Sequence, residues 1–283
     1  AYRAGDLNAA LAAWPTGREP RGVHEQLYRA ALVLSRGQVA EAERRLASLT
    51  TSDDLEQRLA AALRQAIGAV RFEKVLPLNA PATATELMAE SYLEQSQSRM
   101  EAALAAALSA AEKNPKFGFA QARVAELEFG FGRTVAAQAA LDRALALSPR
   151  HGQAAALRGF LLAATGRHAS AEAAFTHAIA VDSALANAWL GRGLMKIRRG
   201  AREAGRADLQ VAATLEPNRA LLRSYLGKSF QHTGERALAA KELSLARQLD
   251  PGDPTAALYA ALLNHQQDRI ADAIRDLEES VRL

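Results

Sequence analysis

Residues 186–218 read ANAWLGRGLMKIRRGAREAGRADLQVAATLEPN. Two helical patterns meet there at Gly200, and Pro217 stops the second. Small residues at Gly193, Gly205 and Ala212 let the paired helices approach closely, while Leu209 fills the gap between them. One such hairpin cannot bury its apolar face alone, so the stretch predicts neighbours of the same kind.

Those neighbours are present on both sides. Prolines at 115, 149, 217 and 251 are separated by 34, 68 and 34 residues, and Ser183 holds the missing step. Units then begin at Ala84, Gly118, Gly152, Ala186, Ala220 and Pro254 with no insertion between them. Their twentieth places read Ala103, Ala137, Ala171, Gly205, Ala239 and Ala273. The larger filler recurs as Leu141, Phe175, Leu209, Leu243 and Leu277. Gly132, Gly166, Gly200 and Gly234 mark the turns, where a positive φ favours glycine, and Asp268 takes that place last.

The N-terminal part is looser. Residues 2–14 read as the second half of a repeat, 23–49 as a hairpin, and 53–71 as one helix capped by Asp53 or Asp54. Pro77 and Pro81 interrupt helix in between. The expected organisation is therefore degenerate repeat-like helices over 1–71, a proline-containing break over 72–83, and six consecutive units over 84–283, the last truncated. The chain opens and stops inside helical patterns, the expectation for a piece of a longer protein.

Composition agrees with an all-α reading. The 283 residues are 49% apolar but only 5% aromatic, with alanine dominant. There is no cysteine, which excludes disulfides, zinc–thiolate sites and thiol nucleophiles. The 35 basic and 31 acidic residues leave a net charge of +4, too mild for a polybasic tract. No stretch approaches the roughly 18 apolar residues of a membrane-spanning helix, so no membrane insertion is expected.

The ladders, with Trp189, Gly193, Gly200, Leu209, Ala212 and Pro217 in one unit, resemble the tetratricopeptide repeat family over about residues 84–283. Gly205 departs from the usual alanine, and Arg158 and Arg192 stand where leucine is common. The resemblance implies an α-α superhelix, a right-handed solenoid of stacked hairpins. Its concave wall, lined mainly by first helices, receives a peptide or protein segment. Carried over, Met88, Tyr92, Phe119, Phe129 and Phe160 line it first. Leu190, Leu194, Ile197, Lys228 and Leu262 continue it. Whether these side chains form a groove or pack between adjacent helices is open at this point. The aromatics carry most weight, because aromatics dominate interface hot spots. Two family subtypes do not match. The chaperone-tail clamp is replaced by Tyr92, Glu126, Phe160 and Leu194, and the asparagine ladder by Ala89, Arg123, Leu157, Gly191 and Tyr225.

Arg192, Lys196, Arg198, Arg199, Arg202 and Arg206 form a basic cluster with Glu203 the one acid among them. It reads as a solvated turn face, or as a site for an acidic protein or polysaccharide. Nucleic acid is not the expected partner, because base-stacking aromatics do not accompany the charges. His232 and His265 make a weak metal pair, so neither metal nor cofactor is expected. Gly130-Phe131-Gly132 is a repeat turn and not a phosphate loop, and no catalytic constellation stands out. The stretches 188–200, 208–230 and 240–270 are similar to the repeat region of large bacterial envelope proteins that carry a FecR-type domain and an outer-membrane-like β-barrel.

The expected function is a non-catalytic protein–protein interaction scaffold, favoured in the periplasm or cell envelope. A regulatory module of a larger enzyme or transcription factor, and a polysaccharide-guiding array, are the alternatives. A second copy of the chain is also a candidate partner.

Overall fold

The computed structural model describes every residue except Thr16. Among the described residues there are sixteen α-helices and no strand. They fall into two compact units, Ala1–Ala154 and Ala155–Leu283.

Unit 1 begins with a short 3-10 turn, Tyr2–Ala4, followed by α1 (Leu7–Ala12). A hairpin of α2 (Val23–Ser35) and α3 (Val39–Ala47) comes next, then α4 (Asp54–Val70). Two further hairpins follow, α5 (Ala84–Ser96) with α6 (Met100–Lys113), and α7 (Gly118–Gly130) with α8 (Thr134–Leu147). The first residues of α9 (Gly152–Ala164) complete this unit, and the rest of α9 opens unit 2. There α10 (His168–Val181) precedes the hairpins α11 (Ala186–Arg198) with α12 (Arg202–Leu215), α13 (Ala220–His232) with α14 (Arg236–Leu249), and α15 (Pro254–His265) with α16 (Ile270–Arg282).

First helices start at Ala84, Gly118, Gly152, Ala186, Ala220 and Pro254, the places the thirty-four-residue register assigns. The ladders explain why. Ala103, Ala137, Ala171 and Ala239 are buried, as are Leu141, Phe175, Leu209 and Leu243. Where the ladder has glycine, contact is closest: a Cβ on Gly205 would lie 2.6 Å from the Gly193 carbonyl oxygen. Leu277 differs, being 44% exposed beside Ile270, Ile274 and Val281, which are also exposed. Within this chain no later hairpin covers that face of α16.

The turn between paired helices is left-handed throughout this register. Ser98 adopts φ 60° and Asp268 φ 58°, in the place glycine holds in four other units. After glycine, Asn and Asp tolerate that region best, which suits Asp268 more than Ser98.

In unit 1 the Asp53 carboxylate accepts the Glu56 amide at 3.0 Å and starts α4, a cap worth about 1 kcal/mol. Thr83 and Glu86 form a reciprocal capping box at the start of α5. Glu86 also takes Arg58 of α4 at 2.8 Å, which ties α4 to α5 across the helix-free residues 72–83. Burial alone would raise this carboxyl. Arg58, Thr83 and the backbone amides instead hold it down, to about 2.

In residues 2–14 a left-handed glycine is followed two residues later by a helix, the spacing that Gly200 and Gly234 keep to α12 and α14. Gly5, at φ 82°, breaks the segment into a 3-10 turn and a six-residue helix. The segment also bonds to residues far away in sequence: the Ser148 hydroxyl donates to the Arg3 carbonyl, 145 positions apart.

Candidate functional site

In unit 1 the N-terminal segment lies across the start of α7 and the loop after α8. The Arg150 amide donates to the Ala4 carbonyl at 2.7 Å, and the Ser148 hydroxyl donates to the Arg3 carbonyl at 2.9 Å. Two consecutive peptide groups are thus read through their main chain. Tyr2 stacks on Phe119 with ring centroids 5.3 Å apart, and meets Tyr28 of α2 edge-on at 5.7 Å. Burial raises the Tyr2 hydroxyl, and Tyr28 adds to that. Asp6 caps α1 through the Ala9 amide and pairs with Arg150 at 2.5 Å. Those amide and guanidinium bonds hold its carboxyl below the usual range, against the burial that raises it.

His151 is the floor of this contact. Its ring lies 4.5 Å from that of Phe119, and its Nδ1 accepts the Ala154 amide at 3.3 Å. Burial pushes the imidazole down to about 4. Gly5 rests directly on it: a Cβ there would come within 2.8 Å of the His151 backbone. Both the left-handed φ and the close approach require glycine at this point.

The same place in the register, three units later in unit 2, is an open cleft of about 610 Å³. Phe119 corresponds to Leu221, Ser148 to Asp250 and His151 to Asp253. Asn218, Arg219, Leu249 and Pro254 complete the lining. One turn along α15, Leu258 is exposed, and Leu262 lies a turn further at 42%. Nearby in the hairpin stack, Lys228 covers the Tyr259 ring at 4.4 Å, and Tyr225 lies 5.9 Å from it. Burial, reinforced by Tyr225, pushes the Tyr259 hydroxyl up to about 12.

The residues expected to line a single groove have several fates. Phe119 is covered by Tyr2 of the chain itself. Tyr92 lies under the Arg123 guanidinium, 4.2 Å from its ring centre. Phe160 packs edge-on against the buried Phe175 at 4.9 Å. Leu190 is buried at 4% in the unit 2 core, which leaves it no face for a partner; packing claims it. Leu194 and Ile197 are half-buried against that same core. Met88 and Phe129 are half-buried in unit 1. Lys228 has its ammonium over Tyr259, and Leu262 is open to solvent.

The basic cluster is largely neutralised within unit 2. Asp208 receives Arg192 through two bonds, at 2.7 and 2.9 Å, and Lys196 at 2.8 Å. Arg199 pairs with Glu172 at 3.1 Å, and Arg206 pairs with Glu235. Arg192 also lies over the Trp189 ring, 4.6 Å from its centre. Sequence reading missed Asp208 because it stands in the partner helix, sixteen residues from Arg192. Repeat geometry was the available signal, since the middles of paired helices face each other. Arg123 was also missed. It is buried, donates to Ser91 at 3.1 Å and to Glu126 at 2.9 Å, and also bonds Gln95.

Among the described residues no group of three His, Cys, Asp or Glu is placed to hold a metal ion. Nor is any helix among them long and apolar enough to cross a membrane.

No family model matches the chain, and no curated protein matches it. Solved structures do. A chain of the crystal structure of the APC/C hetero-tetramer Cut9-Hcn1 superposes with a TM-score of 0.80 at 16% identity, over 97% of this chain. This chain spans only 55% of that chain's length. A tetratricopeptide repeat protein from Parabacteroides merdae matches at 0.57 and 18% identity, covering 92% of each chain. PilW, a type IV pilus biogenesis factor, matches at 0.59 and 18%, over 68% of this chain and 90% of that one. With the hairpins of each unit, these likenesses give the chain the tetratricopeptide repeat fold, the all-α solenoid class of stacked helical pairs.

Proposed function

We propose that the protein is a non-catalytic interaction scaffold whose unit 2 offers its cleft and the adjoining α15 face to a protein or peptide segment. One observation carries this reading. The place that unit 1 fills with a peptide segment is, in unit 2, an open cleft beside exposed leucines. The two walls offer different chemistry. Leu221, Leu258 and Leu262 supply apolar surface, while Asp250, Asp253 and Arg219 supply charge of both signs. A few polar groups beside apolar contact area is the usual make-up of a peptide site.

Selection of a displayed random peptide library on the full chain tests this. Peptides should enrich, and their binding should weaken about tenfold to thirtyfold in the Leu258→Ser/Leu262→Ser double variant, on the order of 2 kcal/mol for one hot spot. Both leucines are exposed, so the variant should melt as the parent does. Absence of enrichment, or equal binding by the variant, sinks the reading.

The similarity of residues 188–200, 208–230 and 240–270 to envelope repeat regions supports placing this scaffold in the bacterial periplasm or cell envelope, in secretion, adhesion or export assembly. Fractionation of cells making the full natural open reading frame checks it; a purely cytoplasmic signal would remove that placement and leave the scaffold standing.

A further inference from the structure

We infer that the unit 1 cradle formed by Phe117, Phe119, Ser148, Arg150 and His151 is a peptide-binding site of defined chemistry, and that Tyr2–Asp6 is its built-in, displaceable occupant. The segment it takes is an aromatic residue, two residues of any kind, a glycine and an acidic residue.

Each element of that pattern is matched by a separate feature. The aromatic place is set by the Tyr2 ring, stacked on Phe119, which itself leans on Phe117 at 5.8 Å. At the two middle places the cradle holds main-chain carbonyls, those of Arg3 and Ala4, so their side chains are not read. Glycine is set by the left-handed φ of 82° and by the His151 backbone under it. The acidic place is set by Arg150. Main-chain recognition combined with side-chain selection at fixed intervals is how peptide-recognition sites achieve affinity and specificity together.

The connection to the rest of the unit suits an occupant that leaves. Residues 13–22 contain no helix among those described, and carry Pro15, Gly17, Pro20 and Gly22. Their anchor is local: the Trp14 indole donates to the Arg18 carbonyl at 2.8 Å, and Arg18 and Arg29 lie over its ring. Release of Tyr2–Asp6 costs α2 the edge contact at Tyr28 and α1 its cap, but removes no residue of the buried α2–α3 core. That core is built on Leu27, Ala30, Val33, Leu46, Leu63 and Ile67. A tethered occupant competes at an effective concentration in the millimolar range, so the site is closed to weak ligands and opens to strong or abundant ones. None of this depends on the cleft of unit 2, and the failure of either reading leaves the other intact.

The test uses the full chain and a fluorescent peptide, AYRAGDLNAALA, corresponding to residues 1–12. Gly5→Val in the chain drives a side chain into His151 and should free the cradle. Wild-type chain should leave the peptide's anisotropy unchanged, whereas the G5V chain should bind it. Binding should fall at least tenfold when the peptide carries Tyr2→Ala, or when the chain also carries Phe119→Ala. A folded G5V chain that ignores the peptide overturns the inference, as does wild-type chain that binds it equally well. If G5V does not fold, the Tyr2→Ala/Asp6→Ala chain, which adds no bulk, replaces it with the same two outcomes.

Discussion

Phe119 and Leu221 occupy one place in the repeat, three units apart, and their surroundings differ. In unit 1 the space beside Phe119 holds Tyr2, Gly5 and Asp6 of the same chain, over a buried histidine. Beside Leu221 in unit 2 there is a cleft edged by Asp250 and Asp253. The helices, turns and filler residues around the two places follow one register. A repeat therefore specifies a scaffold and leaves its inner face to be written separately, by side chains the register does not constrain. Unit 1 has been written to close on itself, and unit 2 to stay open.

The largest test of this comparison breaks unit 2 alone. Phe175 is fully buried, and glycines at 159 and 191 make room for its ring: a Cβ on either would lie within 2.5 Å of it. Phe175→Ala should cost about 3–5 kcal/mol. The two tryptophans divide between the units, Trp14 in unit 1 and Trp189 in unit 2. Urea melts of W189F and W14F backgrounds thus read each unit separately. The midpoint reported by Trp189 should fall far more than that reported by Trp14. Equal falls would show one cooperative unit in place of two.

Acid should act the other way round. His151, buried to about 4 in unit 1, stays neutral while the unfolded chain takes up a proton near 6.5. Its contribution is fully present above about pH 6.5, is lost as pH falls toward 4, and is flat below that. The loss amounts to about 3 kcal/mol at most. The neighbouring Asp6–Arg150 pair does not offset it, because the Ala9 amide and Arg150 hold that carboxyl below its usual range, against its burial. In unit 2 partial burial, with Lys228 and Arg202, lowers His232 in the same direction, but this side chain is exposed and its share is smaller. Melts at pH 7.5 and 4.5 should show the Trp14 signal losing more stability than the Trp189 signal. His151→Gln should erase the difference; its persistence would assign the effect elsewhere.

The smallest effect should be similar in the two units. Ser98 and Asp268 hold the left-handed turn in units 1 and 2. Glycine at either removes that backbone cost, less its own loss of freedom, for a net gain of about 0.5–1 kcal/mol. A gain from S98G without one from D268G would show that the two turns are strained unequally.

The scaffold was legible because its signals are local and repeated. Gly132, Ala137 and Leu141 announce the same geometry as Gly234, Ala239 and Leu243. The closure of unit 1 was not legible, since Arg150 meets Ala4 only through tertiary structure and no periodicity links them. In residues 2–14 the turn at Gly5 follows the repeat's local spacing, but its contact with His151 does not follow from that pattern. Part of the expected inner wall became packing for the same reason. Leu190 and Phe160 hold wall positions by count, but how far the neighbouring helix leans over them depends on residues such as Phe175 and Leu209.

The bare stripe on α16 carries a practical meaning. Leu277 holds the place that Phe175, Leu209 and Leu243 fill as buried residues, while Ile270, Ile274 and Val281 stand where α14 has Arg236, Ala240 and Arg247. A designer wishing to lengthen this protein could reuse the contact around Leu277 and would have to replace the other three residues. Copying residues 216–253 after Leu283 would keep the register, since 216–219 complete the last unit, and burial of Leu277 would report that the graft had seated.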